Sequence, residues 1–316
     1  MTSKDASLNN TQLNGEFLAV NNPQCERPLL VFVHGFLGST DDWSSVVVEF
    51  TDYPRLLLDL PGHGKSVHVP CAGFDEACAA IDTAIQETLV AQRFSDTHPI
   101  CLVGYSLGAR LLMYFLTEYQ HRKTGADNRA LIAHQIANSS VTDSVITNSA
   151  ITNGVLTNNP IIGLVIEGGN FGIADLSQRK IRLQADQVWA ARFKNENIVD
   201  VLVDWYQQPV FSSLNHEQRQ LLIAKRSVNL GGKLSEMMDA TSLGRQPYLL
   251  DSVQQLHFSS GRQPLFISGE QDKKFTALAQ SSDIEHRIIE QAGHNVHKEH
   301  PKAFAAALLE YLNTPY

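Results

Sequence analysis

The sequence contains no long hydrophobic run and no apolar N-terminal core. No apolar segment approaches the roughly 20 residues that a membrane-spanning helix needs. The first residues, MTSKDASLNNTQLNGEF, are polar and lack the hydrophobic centre of a secretory signal. These absences predict a cytoplasmic protein that has no membrane partner.

Cysteine and positive charge are also scarce. The four cysteines, Cys25, Cys71, Cys78 and Cys101, show no spacing typical of metal ligands, so we expect reduced packing residues. We expect no metal and no cofactor. The formal net charge is −8 and the sequence pI is about 5.8. Because nucleic acids select basic surfaces, this balance argues against a nucleic-acid partner. An anionic ligand would have to be held by a local cluster of cations, and nothing in the sequence specifies an oligomeric state.

Short apolar runs alternate with helix-like segments, which is typical of a mostly parallel sheet flanked by helices on both faces. The 316 residues, 43% of them hydrophobic, are enough for one large domain with an inserted lobe. The predicted strands lie in 28–35, 55–62, 99–106, 161–169, 264–270 and 284–293, and helical periodicity marks 74–92, 107–121 and 301–313.

The pattern changes between two of the predicted strands. Residues 172–250 contain several helical segments without a clear strand, so we predict a helical lid inserted between a first core part, 1–171, and a second, 251–316. A polar insertion near 125–160 precedes the lid. Its centre at 138–159 is rich in Ser, Thr and Asn, which is typical of a surface segment, and its TNGV sequence offers a turn for a β-hairpin.

The stretch GYSLG matches the G-x-S-x-G pattern between a predicted strand and a predicted helix. A sharp turn at this point would lift Ser106 above the sheet edge, and the glycines on either side would allow backbone and helix to approach closely. The unpaired N–H groups of the helix N-terminus would then lie beside the serine oxygen. Ser106 is therefore the predicted reactive residue.

A reactive serine needs an imidazole and a carboxylate that orients it. His294 in QAGHN follows the last predicted strand and Asp272 in SGEQD follows the preceding one, which is the chain order of the α/β-hydrolase fold. Asp251 and Asp283 are the rival acids, but Asp272 has the expected position one strand before the histidine. As an alternative, His294 could bind a metal with His297 and His300, although HNVHKEH lacks the usual ligand spacing.

Two glycine-containing loops follow the first predicted strands. HGFLGS would direct the N–H of Phe36 into the site, where it would form an oxyanion hole with the N–H of Leu107. LPGHGKS ends like a phosphate-binding loop, but that pattern requires a glycine at position 59, which is Asp59. The second loop is therefore interpreted as shaping the ligand-binding edge of the sheet.

Arg110 lies four residues after Ser106 on the same predicted helix, so the two side chains share one helix face. An arginine can offer two parallel donors to a carboxylate. A solvated surface arginine is the alternative. Because this helix is predicted to be buried behind the serine, and buried charges are rarely unpaired, we expect Arg110 to bind an acidic ligand.

These motifs resemble those of the α/β-hydrolase superfamily and, within it, the 2-succinyl-6-hydroxy-2,4-cyclohexadiene-1-carboxylate synthase family of bacterial menaquinone biosynthesis. The similarity extends from about residue 28 to the end of the chain. The HGFLGS loop and the GYSLG turn, here called the elbow, identify only the superfamily. GYSLGAR together with VIEGG, DWYQQPVF and GEQDKKF is far more specific. Ala109 stands where the family often has glycine, a small change that should leave the elbow intact.

The resemblance implies an α/β-hydrolase fold and a lyase that eliminates pyruvate from 2-succinyl-5-enolpyruvyl-6-hydroxy-3-cyclohexene-1-carboxylate, a small substrate with three carboxylates. It implies that Ser106, Asp272 and His294 form the catalytic triad. By matching position it also implies a set of substrate-binding residues: Tyr105, Arg110, Arg182, Trp205 and Arg226. In the expected mechanism the serine, activated by the histidine, removes a ring proton next to the succinyl ketone, and no acyl-enzyme forms.

Two other functions fit parts of the pattern. A serine hydrolase for acidic substrates, such as a carboxylesterase, thioesterase or carbon–carbon bond hydrolase, would use Ser106 as an acylated nucleophile, because fold alone does not fix function. A catalytically inactive receptor for a small acid is the second alternative, but it would not need an intact Ser, Asp and His set.

Overall fold

A computed structural model describes residues 12–20, 26–123, 155–156 and 159–313. Most of the predicted polar insertion therefore lies outside the described residues, as does Cys25. Cys71, Cys78 and Cys101 are free thiols, and the last two are buried. Within the described ranges no helix combines the length and apolar character needed to cross a bilayer.

An eight-stranded sheet forms the centre of the described chain. Its strands are β1 Gly15–Leu18, β2 Leu29–Val33, β3 Arg55–Leu58, β4 Ile100–Tyr105, β5 Val155–Leu156, β6 Asn159–Glu167, β7 Leu265–Gly269 and β8 Glu285–Ile289. The order is β1-β3-β2-β4-β6-β7-β8, with β5 paired to β6. All neighbours are parallel except β1 with β3 and β5 with β6, so the predicted mostly parallel sheet is confirmed.

Helices cover the sheet and follow most of its strands. They are α1 Ser44–Val47, α2 Phe74–Ala91, α3 Leu107–Tyr114, α4 Leu176–Asn195, α5 Ile198–Trp205, α6 His216–Arg226, α7 Gly231–Ala240, α8 Leu250–Gln254, α9 Lys273–Gln280, α10 Val296–Glu299 and α11 Pro301–Asn313. Short 3-10 turns occupy Thr40–Trp43, Val48–Phe50, Gly64–Ser66 and Pro209–Phe211, and a π turn at Phe115–Tyr119 extends α3.

The central strands are buried on both faces. In β2 the side chains of Leu29, Val31 and Val33 pack into one apolar cluster, while those of Leu30 and Phe32 pack into another on the opposite face. This alternation follows from the two-residue period of a strand. Each fully buried aliphatic or aromatic side chain contributes about 1.5–3 kcal/mol, so the two layers fix the sheet from both sides.

Strand ends differ from the sequence prediction where the backbone turns. The run predicted at 284–293 forms a strand only to Ile289, because Gln291 adopts a positive φ of 58°. The edge strand β1 was not predicted, since GEFL is short and only partly buried. β5 pairs with the first two residues of β6, while the TNG residues of the predicted hairpin turn, 152–154, lie outside the described residues.

The helices α4 to α7 lie between β6 and β7 in the chain, at the place predicted for the lid. They form a separate apolar cluster that includes Phe193, Leu202 and Leu234, and this cluster also contains Leu37 from the loop after β2. The loop that carries the predicted oxyanion hole therefore packs against these helices. The lid boundaries at 172 and 250 stay predictions.

Candidate active site

Ser106 lies at a sharp turn between β4 and α3. Its backbone has φ 49° and ψ −106°, a strained conformation for a residue other than glycine, and its N–H donates to the Glu167 carbonyl at 2.8 Å. A Cβ at Gly108 would lie 2.3 Å from the carbonyl oxygen of Val33, so only glycine lets α3 approach β2 this closely. The predicted strand–turn–helix geometry is present at this serine.

Asp272 and His294 meet at the carboxyl ends of β7 and β8. His294 Nδ1 lies 2.6 Å from Asp272 Oδ2, and both side chains are buried. Asp272 also caps the N-terminus of helix α9 by accepting the Phe275 N–H at 3.4 Å, which orients the carboxylate. The rival acids Asp251 and Asp283 are exposed. The structure therefore selects Asp272 as the acid that orients His294.

The His294 ring and Ser106 line the same cavity, and no hydrogen bond joins their side chains in the described part of the chain. His294 also contacts the backbone at Gly168, which has a positive φ of 57°. A Cβ at Gly168 would lie 2.7 Å from His294 Cε1. The glycines of the VIEGG stretch thus leave room for the imidazole.

Gly168→Ala is expected to displace His294 and to lower kcat about tenfold, since a misplaced catalytic group loses much of its effect. Gly232→Ala controls for the added methyl group alone, because a Cβ at Gly232 would meet nothing within 4 Å among the described residues, and thermal unfolding shows whether the positive φ of Gly168 makes its variant unstable. Steady-state kinetics on both variants test this prediction. Equal kcat values for the two variants would contradict it.

His297 and His300 do not join His294 in a metal site. His297 Nδ1 lies 2.8 Å from Glu167 Oε2, and its ring packs 4.4 Å from that of Trp43, centroid to centroid. In the described ranges no group of three or more His, Cys, Asp or Glu side chains could hold a metal ion. His297 is instead part of a buried His–Glu pair beside the cavity.

The loop predicted to form the oxyanion hole runs close to Ser106. A Cβ at Gly35 would lie 3.3 Å from Ser106 Cβ, so the loop after β2 passes directly beside it. Leu107 is the first residue of α3, and a first-turn N–H has no partner within its own helix. Phe36, Ser106 and Leu107 together line a small cavity of about 110 Å³. Their roles as donors stay predictions.

Two buried histidines hold this loop. His34 Nδ1 lies 2.7 Å from the Gly35 carbonyl oxygen, and its Nε2 accepts the Leu60 N–H at 2.9 Å. His63 Nε2 accepts the Leu37 N–H at 3.1 Å. Each ring must therefore be neutral. Burial lowers the pKa of His34 to about 4, and burial together with His34 lowers the pKa of His63 to about 3.

The free energy of unfolding is expected to fall as the pH drops below 6.5. The unfolded chain takes up protons on His34 and His63 near their usual pKa of 6.5, whereas the folded chain excludes them down to about pH 4 and 3. Stability is thus fully present above pH 6.5 and decreases below it, by on the order of 3 kcal/mol for His34 and 5 kcal/mol for His63. Urea unfolding at a series of pH values measures the slope. His63→Asn should flatten the slope, and an unchanged slope in this variant would contradict the assignment.

The main cavity has a volume of about 460 Å³, within the range of small-molecule sites. It is lined by Ser106 and His294 and, on the side of the lid, by Trp205 and Arg182. The charged side chains of this lining are mostly cations, although the protein as a whole has a net charge of −8. Besides histidines, the described part of the chain contributes five charged residues to this lining: Arg182, Arg226, Lys274, Lys298 and Asp42. Four cations therefore face one carboxylate, which is the local cluster that an anionic ligand requires.

Arg110 lies behind Ser106 in the small cavity, together with Arg182. Its Nε donates to Gln246 Oε1 at 2.6 Å and its Nη2 to the Thr241 carbonyl at 2.7 Å. No carboxylate lies within ion-pair distance of Arg110 among the described residues. Burial, reinforced by Arg182, lowers the pKa of Arg110 to about 9. An anion beside this guanidinium would relieve the cost of burying its charge.

The other predicted substrate residues lie around the two cavities. Arg182 lines both and is held by Asp186 at 2.7 Å. Trp205 also lines both, and its ring lies 5.4 Å from that of Phe36. Tyr105 lies beside His294 with a ring separation of 5.4 Å, and burial raises its pKa well above the usual value. The structure thus brings every predicted site residue to the same region.

Sequence reasoning missed three charged residues of this lining: Asp42, Lys274 and Lys298. Two of them could have been proposed from the sequence, because they lie close to predicted triad residues. Lys274 follows Asp272 by two residues, and Lys298 follows His294 by four. Asp42 had none, since its partners come from α6 and α10, far along the chain.

Comparison with known proteins shows which family and which fold this chain is similar to. The sequence profile of the Alpha/beta hydrolase family matches residues 30–307. A 2-succinyl-6-hydroxy-2,4-cyclohexadiene-1-carboxylate synthase of Serratia proteamaculans is 37% identical over 92% of this chain and 96% of its own length. A synthase of the same name from Yersinia pseudotuberculosis is 37% identical over 90% of this chain and 88% of its own.

Solved structures share the fold. The structure of MenH from S. aureus superposes with a TM-score of 0.72 at 23% identity, covering 94% of this chain and 97% of that one. A hydrolase from Pseudomonas aeruginosa superposes with a TM-score of 0.61 at 16% identity, covering 96% and 94%. The predicted α/β-hydrolase fold is confirmed.

Proposed function

Because this chain belongs to the α/β-hydrolase family and, within it, to the 2-succinyl-6-hydroxy-2,4-cyclohexadiene-1-carboxylate synthases, we propose that it is a carbon–oxygen lyase of menaquinone biosynthesis. Its substrate would be 2-succinyl-5-enolpyruvyl-6-hydroxy-3-cyclohexene-1-carboxylate and its products pyruvate and the cyclohexadiene. The observation that carries this proposal is a cavity in which Ser106 and His294 stand among four cations and one carboxylate.

The charge of the cavity matches this substrate. The substrate carries three carboxylates, and the cations of the main lining exceed Asp42 by three charges. Arg110 adds a further cation at the small cavity. Arginine binds carboxylates through two parallel hydrogen bonds, which fixes orientation as well as affinity. A simple neutral ester would leave the excess positive charge of the lining uncompensated.

The proposed reaction begins with removal of a ring proton next to the succinyl ketone. Ser106 accepts this proton as a general base while its own hydroxyl proton is held by His294. Asp272 accepts the Nδ1–H of His294, which keeps Nε2 directed at the serine and stabilises the imidazolium. The base role requires the Ser106–His294 hydrogen bond to form when substrate binds.

The electrons of the broken C–H bond move first to the ketone oxygen and then into the ring. The developing enolate would accept hydrogen bonds from the N–H groups of Phe36 and Leu107, each worth about 2.7–4 kcal/mol in comparable sites. The enolate collapses to form the conjugated diene and breaks the ring C–O bond. The departing enolpyruvate takes up one proton and becomes pyruvate, so no water is consumed and no acyl-enzyme forms.

A side-by-side assay separates this reaction from hydrolysis. The purified protein is supplied with the enolpyruvyl intermediate, and pyruvate is measured by its enzymatic reduction to lactate; simple esters are supplied in parallel. We expect pyruvate release to exceed ester turnover by orders of magnitude. Rapid ester cleavage without pyruvate release would establish a hydrolase instead.

A further inference from the structure

One buried carboxylate gathers three cations at the wall of the main cavity. Asp42 Oδ2 lies 2.6 Å from Arg226 Nη2, while its Oδ1 lies 3.2 Å from Lys225 Nζ and 3.6 Å from Lys298 Nζ. Burial acts to raise the pKa of Asp42, but Arg226 and Lys298 outweigh it and hold the pKa well below its usual value. The carboxylate is therefore ionised, and the group of four side chains carries a net charge of +2.

Only two of the three cations reach the cavity. Arg226 and Lys298 line it, whereas Lys225 contacts Asp42 from outside. Arg226 is 8% exposed, and its Nε is buried without a hydrogen-bond partner in the described residues. An anion in the cavity would therefore meet two cations whose combined charge the single Asp42 carboxylate balances only in part.

Lys298 is positioned by the short helix that follows His294 in the chain. The short helix α10 begins two residues after His294, and its third residue is Lys298. Burial lowers the pKa of Lys298, and Asp42 opposes this effect. Asp42 thus compensates part of the charge of Lys298 and holds its ammonium group beside the guanidinium of Arg226.

We propose that Lys298 is a substrate-binding residue that, together with Arg226, holds one carboxylate of the substrate, while Asp42 acts as the counter-ion that keeps the two cations side by side. This inference rests on the proposed function. A planar guanidinium and a mobile ammonium suit the two oxygens of a single carboxylate. Removing Lys298 should therefore weaken substrate binding more than it slows the chemical step.

Three lysine variants test this assignment. Lys298→Met is expected to raise KM about tenfold, the effect of losing one charge-assisted hydrogen bond, with kcat changed less than about threefold. Lys298→Arg should restore most of the loss. Lys225→Met removes a cation from the same carboxylate but not from the cavity, so its KM should rise by no more than about threefold. Lys302→Met, on the exposed face of α11, controls for the change in net charge.

Binding of two stable probes tests the site independently of turnover. Calorimetry on wild-type protein and Lys298→Met would use 2-succinylbenzoate, which has the succinyl and ring carboxylates, and pyruvate, which has the third. Weaker binding of either probe to the variant supports the proposal and identifies the carboxylate. Unchanged affinity for both probes with an unchanged KM would overturn it, as would an equal rise in KM for Lys225→Met. If wild-type protein released no pyruvate, the proposed reaction would fail, and the probe titrations would still decide the role of Lys298.

Discussion

Ser106→Ala and His294→Ala are each expected to lower kcat by at least about 10³-fold while leaving the fold intact. In the proposed mechanism the serine oxygen takes the ring proton, and His294, oriented by Asp272 at 2.6 Å, makes it basic enough to do so. Since the two side chains act as one unit, the double variant should be scarcely less active than either single variant. Steady-state pyruvate release measures all three.

His300→Ala is the control for this prediction. His300 follows the short helix α10 directly after the His294 turn but does not line the main cavity, so kcat of this variant should stay within about twofold of wild type. Thermal unfolding of each variant checks that the protein still folds. Near-normal turnover by a folded Ser106→Ala protein would remove the proposed base.

Arg110→Ala is expected to lower kcat/KM about a hundredfold or more. Arg110 is a partly buried cation without an ion-pair partner among the described residues, so a substrate carboxylate would be its main compensation. Truncating one member of such a buried charge pair leaves the other unpaired and typically costs 2–5 kcal/mol. The loss should be smaller for a substrate analogue that lacks the carboxylate in question.

A variant of a neighbouring residue separates this role from anchoring of the lid. Arg110 also binds Gln246 and the Thr241 carbonyl, so it joins α3 to the end of the lid. Gln246→Met removes one of these contacts and keeps the guanidinium. Two results would contradict binding of a carboxylate by Arg110. Either Gln246→Met would lose as much activity as Arg110→Ala, or Arg110→Ala would lower kcat/KM equally for the analogue and for the full substrate. Arg110 would then act through the position of the lid.

The elbow and the acid–histidine pair could be predicted because they depend on local patterns. A buried strand, a glycine-flanked turn and a helix define the position of Ser106 within a few residues of sequence. Parallel strands then bring their carboxyl ends to one edge of the sheet, so residues after successive strands meet there. Asp272 and His294 are in contact for this reason.

The cation cluster at Asp42 could not be predicted, because its members come from three separate segments. Asp42 lies in the turn after β2, Arg226 ends α6 in the lid, and Lys298 belongs to α10. Only the packing of the lid on the sheet brings them within ion-pair distance. No hydrophobic periodicity in the sequence predicts how the lid packs. The histidines that hold the oxyanion loop were missed for the same reason, because His34 and His63 bind backbone groups in each other's loops.

The most direct test of the account uses substrate labelled with deuterium on the ring carbon next to the succinyl ketone. If Ser106 removes that proton and pyruvate leaves, the diene product must have lost the deuterium, one pyruvate must appear for each diene, and kcat/KM must fall relative to unlabelled substrate when proton removal limits the rate. A ring product that keeps its deuterium, or turnover without equimolar pyruvate, would contradict the proposed elimination.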